Sequence, residues 1–363
     1  MLRAGIIGCG KIAEVHVDEI QKLSTCQIVG VCDREPLMAK QLGERYNIKH
    51  YESAEQLLDT CKPDVVHITT PPQSHFELAK LSLSCGSHVY LEKPFTLNLE
   101  EAETLIEIAR RQGLKLTVGH NYQFDPAALT MRELVGRGVL GGPPVHLESV
   151  YCYDLNDEFA RALVGNREHW VRNLPGKLLH NVISHGICKI AEFIGDDFPE
   201  VVAHGYASPA MLKLLGTGFV DELRVTIQTK DTSAYFTFSS QMRPGLHQFR
   251  LFGRRSNIWV DYNHQTVVVG ENRQYKSHLS RLIPPFAFSR QYFSSGVRNA
   301  IKFLKADFHA NAGMHFLIKS FYESVRDNAP LPIPYEQILL TTRIMDQVFE
   351  QLKSGPREAN LVA

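Results

Sequence analysis

Between residue 1 and about residue 120, short continuous apolar runs alternate with amphipathic stretches. The runs cover residues 2–7, 27–32, 65–68, 88–91 and 115–118, with a short one near His50-Tyr51. The stretches between them, 12–23, 36–45, 54–61, 74–85 and 99–111, carry helical spacing. Continuously apolar strands alternating with helices predict a parallel sheet covered on both faces. Gly86 and Gly113 read as helix stops, each just before the next strand.

The pattern changes after Tyr122. A helix over about 126–137 precedes Gly141-Gly142-Pro143-Pro144, and a strand begins over 146–153. Residues 155–175 read as irregular with one short helix. Residues 178–194 read as a single helix with Lys177, Asn181 and His185 on one face at four-residue spacing. From Val201 to Val269 apolar and polar positions alternate over 223–229, 234–239, 248–252, 258–261 and 266–269, which suits an open antiparallel sheet. Helices follow over roughly 286–304, 312–327 and 335–353, the last two separated by Pro330-Leu331-Pro332-Ile333-Pro334. The expected fold class is α/β: a Rossmann dinucleotide-binding domain over 1–121, then an α+β domain over 122–363 with an open, mainly antiparallel sheet.

At 363 residues the chain is long for one core, which agrees with two domains. Thirty-nine Lys and Arg balance 39 Asp and Glu, so no broad field for nucleic acid is expected. No apolar run is long enough to span a membrane, and Met1-Leu2-Arg3 leads straight into the first strand without a signal segment. Seven cysteines are scattered, with no C-x-x-C pair. Together these predict a reducing, cytoplasmic setting, no disulfide framework and no metal.

The densest chemistry lies in Ala4-Gly5-Ile6-Ile7-Gly8-Cys9-Gly10-Lys11-Ile12-Ala13 and in Val29-Gly30-Val31-Cys32-Asp33. Gly8 permits a tight turn out of the strand, Gly10 lets a pyrophosphate approach the backbone, and Ala13 keeps the next helix close. Asp33, at the end of the second strand, can accept hydrogen bonds from an adenosine ribose. The helix starting at Lys11 and Ile12 offers N–H groups to phosphate. Asp33 favours NAD, since a 2′-phosphate would face a like charge; Arg34 could pair with that phosphate, so NADP stays open. Three further motifs stand out. Thr70-Pro71-Pro72 with His75 is a rigid loop after a strand, expected to line the cofactor. Glu92-Lys93-Pro94 places a lysine at a strand end, where desolvation lowers its pKa, with Lys93-Pro94 a candidate cis bond. The Lys177, Asn181, His185 face offers an imidazole as proton acceptor.

Together these residues resemble the Gfo/Idh/MocA oxidoreductases over essentially the whole chain. Gly8-x-Gly10-x-x-Ala13, Thr70-Pro71-Pro72 with His75, and Glu92-Lys93-Pro94 match that pattern in order and spacing. The resemblance implies a nicotinamide cofactor held by Gly8, Gly10, Lys11, Ile12, Asp33, Arg34, Thr70, Pro71, His75, Glu92 and Lys93. It implies catalysis by Lys93, His185 and Asn181, and a carbohydrate-like substrate: a sugar, polyol or nucleotide-linked sugar. Asn121, Tyr122, Trp170 and Arg172 are further candidates for substrate contact. Asn181 stands where many members carry Asp, and Gln123 where an arginine is frequent. The resemblance also implies a homodimer or homotetramer formed through the second domain's sheet. Two rival readings are a glycoside hydrolase that keeps its nicotinamide through a redox cycle, and a non-catalytic nucleotide-sensing regulator.

Overall fold

A computed structural model describes residues 1–155, 163, 165–195, 198–215, 218–273, 275–305, 309 and 311–353. Part of the segment expected to be irregular, 156–162 with 164, therefore lies outside the described residues.

The described chain divides into two compact units. One comprises Met1–Asn121 with Gly313–Arg343, the other Tyr122–Ala312 with the segment from Ile344 onward. One break falls between Asn121 and Tyr122. The return of residues 313–343 to the first unit corrects the simple division at 122–363. Its physical reason is burial: Phe321 and Tyr322 are buried, with ring contacts to Tyr90 and His67 of the first unit.

In the first unit, strands β1 (Leu2–Ile7), β2 (Cys26–Cys32), β3 (His50–Tyr51), β4 (Val65–Ile68), β5 (His88–Leu91) and β6 (Leu116–Val118) form one sheet. Its order is β3-β2-β1-β4-β5-β6 and every pair is parallel. The chain therefore winds outward in both directions from β1 and β4, which leaves a crevice at the carboxyl ends where the order reverses. Helices α1 (Lys11–Gln21), α2 (Pro36–Tyr46), α3 (Ala54–Cys61), α4 (His75–Ser84) and α5 (Leu99–Gln112) make the crossovers. Strands β1 and β4 are buried almost throughout because both sheet faces are covered.

The second unit begins with α6 (Pro126–Gly136) and β7 (His146–Cys152), followed by α7 (Lys177–Val182) and α8 (Ser184–Ala191). Strand β8 (Glu200–Tyr206), α9 (Pro209–Leu215), β9 (Glu222–Gln228), β10 (Ser233–Ser239), β11 (His247–Phe252), β12 (Ser256–Asp261) and β13 (Thr266–Glu271) come next. The seven strands order as β13-β12-β11-β7-β10-β9-β8, and only β7 with β10 is parallel. The buried faces alternate as the sequence pattern required. Helix α10 (Leu279–Leu304) starts earlier than expected and carries Pro284 and Pro285 inside it. Helices α11 (Ala312–Asp327) and α12 (Tyr335–Lys353) are the last among the described residues.

The helix expected over 178–194 is two short helices, α7 and α8, meeting at Ile183. Lys177 sits at φ +47° and its Nζ donates to the Gly218 carbonyl, so it does not share a continuous face with His185. Helix α8 lies on β7 and β10, and Gly186 sets how closely: its carbonyl accepts from Ser149 Oγ at 3.0 Å. A Cβ at Gly186 would come within 2.0 Å of the ring of the fully buried Phe236. Gly186→Ala is therefore expected to destabilise the second unit by about 1–3 kcal/mol, the usual cost of overpacking a filled core. Thermal unfolding checks this, and an unchanged midpoint would show that the ring has room to turn.

Candidate active site

The carboxyl ends of the first unit's strands collect most of the residues singled out from the sequence. Gly8 follows β1 at φ +99°, and a Cβ there would lie 2.9 Å from the Thr69 backbone. Thr69 Oγ1 donates to the Gly8 carbonyl at 2.6 Å and ties the turn to the end of β4. At Gly10, by contrast, a Cβ would meet nothing within 4 Å, so the backbone faces open space. Two helices of this sheet, α3 and α5, are capped by side chains, Ser53 accepting from the Gln56 amide and Asn98 from the Glu101 amide, whereas α2 and α4 are not. Helix α1 starts on Gly10 without a side-chain cap, and its N-terminus carries a partial positive charge. Lys11, Ile12 and Arg34 are exposed at this rim.

Asp33 does more than wait for a ribose. Its Oδ2 accepts from the Cys9 amide at 2.6 Å and its Oδ1 from the Glu35 amide at 2.8 Å, so the carboxylate fixes the glycine turn. These residues fit a dinucleotide: an open cradle at Gly10, an uncapped helix start, and an acid at the end of β2.

Thr70 and Pro71 line the same edge, with Thr70 Cγ2 close against Gly8. His75 does not belong with them. It is fully buried, with Nε2 2.9 Å from the Thr70 carbonyl and Nδ1 3.0 Å from that of Pro94. It ties the Thr70 loop to the Lys93-Pro94 segment, whose peptide bond is cis. Burial holds the imidazole below its ordinary pKa, against the opposing pull of these carbonyls.

Glu92 also points away from the rim. Its Oε1 lies 3.0 Å from His16 Nε2, and its Oε2 accepts from the Lys93 amide at 3.1 Å. Burial pushes this carboxyl up, but the His16 contact and the Lys93 charge outweigh it and hold the net pKa low. Glu92 is thus a buried support, not a surface that lines the cofactor crevice. Lys93 itself is partly exposed, and desolvation lowers its pKa against the opposing charge of Glu92. Asn121 accepts from the buried Tyr90 hydroxyl at 3.0 Å. His120, missed by the sequence reading as a buried group, has its pKa lowered to about 4 by desolvation.

In the second unit, the Tyr122 ring packs edge-on against His185 at 4.7 Å and His247 at 4.4 Å between centroids. Tyr151 packs against the same two imidazoles. Asn181 and His185 are both partly exposed. Trp170 stacks on His169, and the Arg172 guanidinium donates to the Leu163 and Asn166 carbonyls. Arg172 therefore anchors its own loop. No group of three or more His, Cys, Asp or Glu among the described residues is arranged to hold a metal ion.

Behind His185 lies a group the sequence reading missed. Lys189, one turn later, is fully buried, with Nζ 2.6 Å from His247 Nε2 and 4.3 Å above the Tyr262 ring. Desolvation lowers its pKa to about 7, and it lowers the neighbouring imidazole further. Between pH 7 and the ordinary 10.5, the unfolded chain holds a proton here that the folded chain lacks. Stability therefore rises with pH across that window, by up to about 1.4 kcal/mol per unit. In Lys189→Met this contribution is expected to vanish. Denaturant unfolding of both proteins from pH 6.5 to 10 reads the difference, and parallel curves would mean that Lys189 stays charged.

Residues 2–120 match the sequence model of the GFO_IDH_MocA oxidoreductase family with its NAD-binding Rossmann fold. A Formosa agariphila oxidoreductase is 30% identical over 200 residues, 53% of this chain and 60% of its own length. D-glucoside 3-dehydrogenase of Escherichia coli is 34% identical over 142 residues, 39% of this chain and 40% of its own. The chain thus spans less than two thirds of the length of these two relatives. The solved structure of UDP-N-acetylglucosamine 3-dehydrogenase from Acidithiobacillus ferrooxidans superposes with a TM-score of 0.74 at 21% identity. It covers 97% of this chain and 98% of its own, so the fold is shared along the whole length. Residues 2–120 thus match the NAD-binding Rossmann domain of the Gfo/Idh/MocA oxidoreductases.

Proposed function

We propose that the protein is an NAD-dependent dehydrogenase or reductase acting at a CH–OH carbon of a sugar, polyol or nucleotide-linked sugar. The observation that carries this reading is one sheet edge bearing both the open Gly10 cradle and Lys93, a lysine whose pKa is lowered by desolvation. The names of the relatives, a glucoside 3-dehydrogenase and a UDP-N-acetylglucosamine 3-dehydrogenase, support the substrate class.

The α1 start at Gly10, Lys11 and Ile12 would hold the pyrophosphate, Asp33 the adenosine ribose, and Thr70 with Pro71 would line the crevice. Bound there, the nicotinamide supplies the hydride acceptor or donor. Lys93 in the first unit is the candidate to polarise a substrate oxygen, and His185 with Asn181 in the second unit are the candidates for proton acceptance and hydroxyl binding. Acid–base help of this kind is worth roughly 10² to 10⁴ in rate. Asp33 supports a preference for NAD over NADP, because a 2′-phosphate would meet its charge.

Tyr235 and Val202, exposed on sheet strands of the second unit, support association of copies through that sheet, which sedimentation in solution reads. Seven free cysteines support a reducing, cytoplasmic setting. No helix among the described residues is long and apolar enough to cross a membrane.

The reading is tested by reduction of NAD with a panel of glucosides, polyols and nucleotide sugars. Gly10→Val is expected to abolish NAD binding by calorimetry while leaving the melting temperature unchanged, since its side chain fills only open space. Lys93→Met and His185→Ala are expected to lower kcat by about 10² or more with NAD affinity preserved. Full turnover in Lys93→Met would remove the lysine from the chemistry.

A further inference from the structure

A continuous hydrogen-bonded chain runs through the first unit from Glu92 to the buried Tyr322. Glu92 Oε1 lies 3.0 Å from His16 Nε2, His16 Nδ1 lies 2.8 Å from His67 Nδ1, and His67 Nε2 lies 2.9 Å from the Tyr322 hydroxyl. The four groups come from the end of β5, from α1, from β4 and from α11. Both histidines are fully buried, and His67 stacks on Tyr90 at 4.8 Å. Tyr322 lines a surface cavity of about 330 Å³ together with Lys22, Thr25, His315, Glu323 and Arg326. This cavity lies by the loop that leads from α1 into β2, at the amino-terminal edge of the sheet. Glu92 lies at the carboxyl edge.

The proton positions follow from the acceptors. Ionised Glu92 only accepts, so His16 Nε2 carries a hydrogen and donates to it. Two arrangements then satisfy every contact. With His16 neutral, Tyr322 donates to His67 Nε2, and His67 Nδ1–H donates to His16 Nδ1. With His16 protonated, both His16 nitrogens donate, and His67 Nε2–H donates to the Tyr322 oxygen. The two differ by one proton, shifted one bond at each link.

We propose that this chain is a proton relay between the cavity and the carboxylate beside Lys93. A proton donated by water in the cavity binds the Tyr322 oxygen as the tyrosine proton passes to His67 Nε2. The His67 Nδ1 proton then passes to His16 Nδ1, and the His16 Nε2 proton passes to Glu92. Each atom that gains a proton loses or holds one in turn, and the excess charge ends on Glu92, which becomes neutral. Run in reverse, the chain carries a proton from Glu92 to solvent. The other titratable groups facing it are Lys93, His75, Tyr90 and His120 near Glu92, and Cys26 and Asp64 near Tyr322. This assignment rests on the proposed dehydrogenase only for its purpose: each turnover releases or consumes one proton, and Glu92 sets the charge felt by Lys93.

The test uses the full chain without cofactor, so it stands apart from turnover. Nitrogen-15 histidine spectra read the exchange of the His16 and His67 ring N–H protons with water. A relay predicts fast exchange at these buried rings, slowed about tenfold or more in Tyr322→Phe, which keeps the ring but cannot pass a proton. A purely structural network predicts slow exchange limited by opening of the fold, and exchange that is unchanged or faster in the variant; either result would overturn the relay. Ser24→Trp, placed in the exposed cavity wall without touching the chain, is expected to slow exchange in the same way. On turnover, Tyr322→Phe is expected to change the solvent isotope effect and the pH profile of kcat with NAD affinity preserved. Wild-type protein inert toward every sugar would sink the proposed function while leaving the exchange result to decide the relay.

Discussion

The first unit is organised around one buried charge. Ionising an isolated carboxylate out of water costs several kcal/mol, so Glu92 stays ionised only because its surroundings are fixed around it. His16 from α1 contacts one oxygen and the Lys93 amide the other. Gly119, just past β6, leaves the space: a Cβ there would lie 2.7 Å from Glu92 Oε1. The carboxylate thus ties the middle of α1 to the exit of β5, with the exit of β6 packed close against it. Those are the elements that carry the glycine turn, Lys93 and Asn121. His75 adds a second tie, between the Thr70 loop and the segment after Lys93. The rim offered to a cofactor is rigid because the groups just beneath it are hydrogen-bonded to one another.

What the sequence discloses follows from the scale of the constraint. Gly8 and Gly10 are legible because the demand is made by backbone atoms, which restricts residue type within a few positions. The strands of the first unit are legible because burial on both faces leaves an unbroken apolar run. His16 and His67 look like isolated polar residues on the apolar face of an amphipathic helix and in an apolar strand. Their meaning lies in contacts 51 and 255 residues apart in sequence, with no local signature. His75 and Glu92 were legible as part of a motif, yet their direction was not: both turn inward, and only the fold reveals it.

The second unit repeats the lesson with different chemistry. Nothing in the sequence between Asn181 and His185 announces a break, since neither proline nor glycine stands at Ile183, where α7 and α8 meet. Lys189 falls on the apolar side of α8, and its partner His247 lies 58 residues on, in β11. There an amine with a lowered pKa, an imidazole and the Tyr262 ring share a buried site. In its deprotonated form Lys189 needs no counter-ion, whereas ionised Glu92 needs the donors around it. Each unit therefore buries polar groups directly behind the side chains proposed to touch substrate, and solves the cost in its own way.

The departure at Gln123 now has a physical meaning. Its amide donates to the Cys188 carbonyl and to Glu192 Oε2, and Arg132 donates to both oxygens of the same carboxylate. Arg132 also lies over the Phe124 ring at 4.8 Å. A cation is present near the entry to the second unit, but its charge is spent on Glu192 and its donors point into the protein. It does not replace an arginine aimed at substrate. A ligand held by Tyr122, Asn181 and His185 would therefore meet neutral, aromatic and amide surfaces at this point. That favours recognition of hydroxyl groups here, and places any anionic portion of the substrate on other residues.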